Sequence, residues 1–262
     1  MKISVNAPSY RRTDDVRTLS YLPFTRIWVD HDEYEAYKAN YPDAEIISCP
    51  DGVQGNVARV RNYILDEEFK RGMDVVCIVD DDIYSLIRYE YDELMGYGYN
   101  QVPIKAEEFF VFLEKYSIMA FDIGAKMWGV NPSTDKMGYR HNTPFSTRSV
   151  VLGPFGCFLK GNRCRYDENL PLKEDYDMSL QQLNLERVIF RVNSVYYRCL
   201  RSESKGGCAS YRNRQREEEQ FKLLRKKWGG AIVKEDDSNK GRTIKEKRFD
   251  YNPIIRVPIL GV

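Results

Sequence analysis

The sequence holds no Cys-x-x-Cys pair among its six cysteines, and neither of its two histidines lies near them at a zinc-ligand spacing. Free, mostly buried thiols are therefore expected at positions 49, 77, 157, 164, 199 and 208. No stretch approaches the roughly 18 consecutive apolar residues of a membrane span. The opening MKISVNAPSYRR lacks the apolar core and small-residue cleavage site of a secretory signal. A cytoplasmic protein with no membrane partner is expected, and nothing in the chain points to an obligate protein partner. There is no internal repeat. Neither sign of charge is in excess overall, since the formal net charge is +1. The charge is unevenly placed, however. Residues 196–262 carry 17 Lys and Arg against 9 Asp and Glu, a surplus of 8, which leaves −7 for residues 1–195. A basic end of this kind suits a polyanion or a phosphate-bearing substrate, although a charge run is more often a solvated face.

What is present is enough apolar material for a sizeable core: 42% hydrophobic and 13% aromatic residues in a chain of 262. KISVNA, RIWVD, AEIISC and DVVCIVD read as short buried strands. Between the last two, NVARVRNYILDEEFKRG repeats Val57, Val60, Ile64 and Leu65 at helical spacing, with Gly72 as a stop. Strands alternating with helices predict an α/β fold, a mainly parallel sheet flanked by helices, whose ligands bind outside the carboxyl ends of the strands. Further along, KAEEFFVFLEKYSIMAFDI and KEDYDMSLQQLNLE read as helices, AKMWGVN and VVLGPFGCFLKG as strands, and RVIFRVNSVYYRCL as a strand or hairpin. RSESKGGCASYRNRQ reads as a mobile loop feeding the helix EEEQFKLLRKKWGG.

Within VVCIVDDDIYSLIRYE an apolar run stops on three aspartates, at a strand end where ligands are expected. Alternate strand residues share a face, so Asp80 and Asp82 should converge while Asp81 points away. Two convergent carboxylates suit a hard divalent cation, Mg²⁺ or Mn²⁺, which keeps positions for water and substrate phosphates. The competing reading makes Asp82 the N-cap of a helix beginning at IYSLIRYE. It accounts for one aspartate and leaves two at a buried strand end.

Strand, helix, strand and Asp-x-Asp together resemble the nucleotide-sugar half of the GT-A glycosyltransferases, over about residues 1–230. SVNAPSYRR resembles that fold's first strand and nucleotide loop, GNVARVRN its Gly-x-x-x-x-Arg-x-Asn helix start, and KEDYD its acidic motif before the acceptor-side helix. The compact length, the IVDDD strand and the KGGC loop leading to KKWG are similar, more narrowly, to the phage glycosyltransferases associated with TET-like hydroxylases, which glycosylate hydroxymethylated pyrimidines in DNA. That resemblance implies a GT-A-like domain at 1–230, with a nucleotide-sugar-binding half at 1–90 and an acceptor-side half at 91–230. A charged stretch and docking tail, part of a basic C-terminal extension, would follow at 231–262. If the chain is phage-encoded, its location would be the host cytoplasm.

The resemblance also implies roles. Asp82 would ligate Mn²⁺ or Mg²⁺, Asp80 would contact the metal through water or the donor ribose, and the metal would bridge the diphosphate of a UDP-sugar. Pro8, Tyr10, Arg11, Asp30 and Asp81 would belong to the nucleotide pocket. Arg59 and Arg61 lie two apart on a helix and cannot share a face, and Arg61 is the one expected at the nucleotide. In an inverting enzyme Asp175, with Glu174 beside it, would take the acceptor proton, whereas acidic residues opening a helix also serve as caps. Arg201 and Lys205 would close over the diphosphate. Related enzymes often carry a histidine ligand near there; none is present, so a third protein ligand is in doubt. Arg212, Arg214, Arg225 and Lys226 would meet DNA phosphates, and aromatics around Trp128, Tyr139 and Phe145 could stack on an exposed base. Two rival functions remain: a glycosyltransferase with a glycan or protein acceptor, and a non-catalytic nucleic-acid-binding module of the same fold.

Overall fold

The computed structural model describes residues 1–92, 98–135, 139–200, 206–236 and 251–257. Arg201 and Lys205 lie outside the described residues, as do most residues of the charged stretch after 236. The first half of the chain runs β1 (Ile3–Pro8), α1 (Thr18–Tyr21), β2 (Arg26–Val29), α2 (Tyr34–Asn40), β3 (Ile46–Ser48), α3 (Val57–Lys70) and β4 (Val75–Val79). The second half runs β5 (Ile83–Asp92), β6 (Gly98–Ile104), α4 (Phe109–Asp122), β7 (Met127–Asn131), β8 (Phe145–Ser146), β9 (Phe155–Leu159), α5 (Glu174–Leu185), β10 (Phe190–Cys199), α6 (Arg214–Trp228), β11 (Val233–Lys234) and β12 (Ile254–Ile255). No helix of the described residues is long and apolar enough to cross a membrane.

The first ten strands form one sheet in the order β3-β2-β1-β4-β9-β7-β10-β5-β6, with β8 paired to β10. The pairs among β3, β2, β1 and β4 are all parallel, and β7 runs parallel to β10. Antiparallel pairing joins β4 to β9, β9 to β7, β10 to β5 and β5 to β6. A separate two-stranded ribbon pairs β11 with β12, bringing Ile254 and Ile255 back against Lys234 and Val233.

β4 is buried at all five positions because both faces of the sheet are covered. Its alternation sorts those side chains: Val75, Cys77 and Val79 join the core under α4, whereas Val76 and Ile78 join the core under α3. α3 presents Val60, Ile64 and Leu65 to that second core. The Asn56 side chain starts the helix, accepting from the Ala58 N–H at 3.0 Å. The helix expected after Asp82 is absent: residues 83–92 form β5, so Asp82 caps nothing. Ile83, Tyr84, Ile87, Tyr89 and Tyr91 are β-branched or aromatic residues, and pairing on both sides with β10 and β6 fixes the strand. Trp128 anchors the core on the α4 side, fully buried, with its indole N–H donating to Ser117 Oγ at 3.0 Å.

Trp128→Ala should therefore cost about 3–5 kcal/mol of stability. Ser117→Ala, which leaves the indole N–H without its acceptor, should cost about 1–3 kcal/mol. Urea denaturation followed by circular dichroism measures both. Equal stability of the Trp128 variant and the wild type would remove this residue as the anchor.

Candidate active site

Strand topology puts the three aspartates at a junction. β4 ends at Val79, and Asp80–Asp82 form the turn into β5. The turn is fixed from its backbone side: the Asp80 N–H donates to Pro154 O at 3.1 Å, and Thr18 Oγ donates to Asp80 O at 2.6 Å. The side chains then take different partners. Asp81 is buried and accepts from Ser9 Oγ at 2.6 Å and from the Arg12 guanidinium. Asp80, with its side chain 30% exposed, accepts from Arg61 Nη2 at 2.7 Å. Asp82 lies 3.8 Å from Arg12 Nη1, and its Oδ1 is buried without a hydrogen-bond partner among the described residues.

A cleft of about 690 Å³ opens over this turn. Pro8, Tyr10 and Arg12 border it on one side and Lys173, Glu174 and Asp175 on another. Arg61 joins the two sides. Its guanidinium is buried and donates to Glu174 Oε1 at 2.8 Å, to Asp80 at 2.7 Å and to the Gly153 carbonyl at 3.1 Å. A Cβ at residue 153 would stand 2.9 Å from Arg61 Nη1, so a larger residue there would displace the guanidinium from this position. Arg59 is half-buried instead and pairs with Glu168 at 3.0 Å. Asp175 enters from the first turn of α5, where its Oδ2 accepts from the Gly153 N–H at 3.0 Å and its Oδ1 from the Tyr176 N–H at 2.7 Å.

The remaining sequence candidates are dispersed. Arg11 is outside the cleft lining, adopts φ +56° and stacks its guanidinium 4.9 Å from the Tyr10 ring. Asp30 caps the short turn at His31–Glu33, accepting from the Asp32 N–H at 3.1 Å, and is also outside the lining. Arg212 reaches the cleft, where buried Glu217 holds it at 2.9 Å and also pairs with buried Lys173. Arg214, Arg225 and Lys226 are exposed on α6 and do not line the cleft. Trp128 is core, Tyr139 belongs to a buried tyrosine cluster, and Phe145 packs at 5.8 Å on Phe190.

Two residues escaped sequence reasoning. Arg12 was hidden by its neighbour Arg11, and only the fold shows which of the pair faces the aspartates. Gly206 was read as loop composition. At φ +90°, a Cβ there would stand 2.6 Å from the Arg11 carbonyl, so glycine lets this segment close onto the loop after β1, where the Gly207 N–H donates to Tyr10 O at 2.8 Å.

The electrostatics follow from packing five carboxylates around two guanidinium groups. Burial pushes Asp81 up to about 6, with Arg12 and the Ser9 hydrogen bond opposing. Burial, then Asp80 and Asp81, raise Asp82. Burial, then Asp175, push Glu174 up to about 8 despite Arg61. Clustered carboxylates with one oxygen unpartnered are the donor set a hard divalent cation satisfies, so the residues present fit such an ion. Among the described residues no group of three or more Asp, Glu, His or Cys forms a complete metal cage, which leaves any further ligands to substrate oxygens and water.

The raised Glu174 has a thermodynamic consequence. Its folded pKa lies above the ordinary glutamate value near 4.3, so the folded state holds the proton more tightly and stability falls as pH rises from about 4.3 to about 8. Glu174→Gln should flatten that fall by up to about 1.4 kcal/mol per pH unit in metal-free protein, measured by denaturant unfolding between pH 5 and 8. An unchanged slope would mean that Glu174 is ionised throughout.

The fold is similar to S. aureus TarS 1-349, at 12% identity, a TM-score of 0.46 and coverage of 94% of this chain and 77% of that one. It is also similar to mannose-1-phosphate geranyltransferase from Thermus thermophilus, at 10% identity, a TM-score of 0.40 and coverage of 76% and 75%. No curated protein matches the sequence. Residues 3–207 match the family described as TET-Associated Glycosyltransferase, which is more than half of the chain. The protein, an α/β chain with its acidic turn at the exit of β4, belongs to the TET-associated glycosyltransferase family.

Proposed function

We propose that this glycosyltransferase moves a sugar from a metal-bound UDP-sugar to the hydroxymethyl group of a modified pyrimidine in DNA. The observation that carries the reading is the convergence, in one cleft, of Asp80 and Asp82 with the acidic start of α5. Asp80 and Asp82 would hold Mn²⁺ or Mg²⁺, with the unpartnered Asp82 oxygen as the available ligand atom. The bound ion supplies Lewis-acid stabilisation of the charge that develops on the leaving diphosphate. Pro8 and Tyr10 would face the nucleotide, and Arg12 would add positive charge beside its phosphates. Glu174 is committed to Arg61 and positions it.

Asp175 is the group placed to accept a proton. Two backbone N–H groups hold its carboxylate in a fixed orientation at the cleft wall. In the step proposed, the acceptor hydroxyl oxygen bonds to the anomeric carbon as the bond from that carbon to the diphosphate oxygen breaks. The electron pair leaves with UDP, and the hydroxyl proton passes to Asp175.

Incubation of hydroxymethylcytosine DNA with UDP-sugars and Mn²⁺, followed by nucleoside mass analysis, should reveal a sugar adduct absent from unmodified DNA. Asp175→Asn should lower adduct formation by about 10²-fold or more while UDP binding is retained. Donor hydrolysis without any adduct on hydroxymethylated DNA would reject the acceptor, and full transfer by the Asp175 variant would return that residue to a capping role.

A further inference from the structure

A second depression of about 510 Å³ lies on the sheet where β5, β6 and β10 meet. Tyr84, Gln101 and Arg198 line it, while Tyr197, Cys199 and Leu200 line both it and the donor cleft, so the two are contiguous. Strand register builds its floor. Arg198 pairs with Ser85 and Tyr196 with Ile87, so Tyr196 and Arg198, two apart on β10, share a face. Under them is a tyrosine cluster: the rings of Tyr89 and Tyr139 stack at 4.9 Å and 12°, and Tyr196 lies 5.1 Å from Tyr89. All three are buried, which makes the floor rigid.

Arg198 is pre-oriented on that floor. Its guanidinium lies 5.8 Å from the Tyr196 ring centroid, and Nη2 donates to Tyr196 Oη at 3.2 Å and to Gln101 Oε1 at 3.4 Å. Tyr84, at the mouth, is 45% exposed. The two lining sets differ sharply in charge. The donor cleft contains six carboxylates, from Asp80, Asp81, Asp82, Glu174, Asp175 and Glu217, against four cations, from Arg12, Arg61, Lys173 and Arg212, whereas the second depression is lined, among the described residues, by one cation and no carboxylate. The attraction of Arg198 for a phosphodiester is unopposed by any carboxylate of the described lining. Exposed tyrosine and arginine planes with an amide beside them match a flat, polar, π-bearing group.

We propose that this depression is the acceptor subsite, where an unstacked pyrimidine base of a nucleic-acid strand lies against Tyr84 and Arg198, with its 5-substituent directed over Tyr197 and Cys199 into the donor cleft. This rests on the DNA acceptor of the preceding section and gives it a location. It also separates the acceptor from the exposed basic residues of α6: Arg214, Arg225 and Lys226 line neither depression.

The test measures the affinity of a fluorescent single-stranded oligonucleotide containing hydroxymethylcytosine by anisotropy, with UDP affinity measured in parallel as a check on folding and on the donor site. Base stacking is worth about 1–3 kcal/mol, so Tyr84→Ala and Arg198→Ala should each weaken oligonucleotide binding about tenfold. UDP affinity should stay unchanged, and Tyr84→Phe, which keeps the ring, should bind as the wild type does. Wild-type oligonucleotide affinity in both alanine variants would overturn the subsite and leave the DNA acceptor standing. A wild-type protein that hydrolyses a UDP-sugar yet binds no oligonucleotide would overturn the DNA acceptor and this subsite with it. Transfer to an oligosaccharide that is lost in the same variants would assign the depression to a glycan, and so also overturn the proposal.

Discussion

The buried guanidinium of Arg61 is the constraint on which the site depends. One side chain from α3 holds the carboxylate after β4, the carboxylate that opens α5 and the carbonyl of Gly153. A charge taken out of water is costly unless its partners are fully arranged, so breaking such a group is worth about 3–5 kcal/mol. The arrangement therefore fixes relative positions that no single helix or strand could. It brings the Gly153 N–H to Asp175 as the Gly153 carbonyl meets Arg61. Arginine suits the role because its planar fork reaches two carboxylates and a carbonyl at once, which a lysine ammonium could not do in the same geometry.

Arg12 provides the second cationic anchor, from the loop after β1. It neutralises Asp81 from one side while Ser9 donates from the other, so Asp81 is a structural member of the turn. Asp82 is left with an oxygen that nothing among the described residues satisfies. Two arginines thus pair with Asp80 and Asp81, while Asp82 keeps the unpartnered oxygen that the proposed cation would meet. A protein that keeps one buried carboxylate oxygen unpartnered in a cleft retains a cost that a ligand can remove.

Much of this architecture was legible in the sequence because buried runs and helical periodicity report burial directly. β1 to β4 and α3 are recognisable from KISVNA, RIWVD, AEIISC, DVVCIVD and the Val60, Ile64, Leu65 stripe. β5 was open to a helical reading, since IYSLIRYE follows a good capping residue, and only pairing with β6 and β10 decides it. The Arg61 site shows a different limit. Its placement at a helix start was readable, but Glu174 lies 113 residues away in sequence and Gly153 lies 92 away, so no local pattern announces either partner. The choice between Arg11 and Arg12 depends on the left-handed turn at Arg11, and the second depression depends on register across three strands.

The central claim is that Asp80 and Asp82 join a divalent cation to the donor diphosphate, and calorimetric titration of UDP with and without Mn²⁺ tests it most directly. The account predicts that Mn²⁺ tightens UDP binding to the wild type by about tenfold or more, as expected for sites coupled through one ion, and that Asp82→Asn abolishes the enhancement. Equal UDP affinity in the wild type with and without Mn²⁺, or an enhancement that survives in the Asp82 variant, would contradict it.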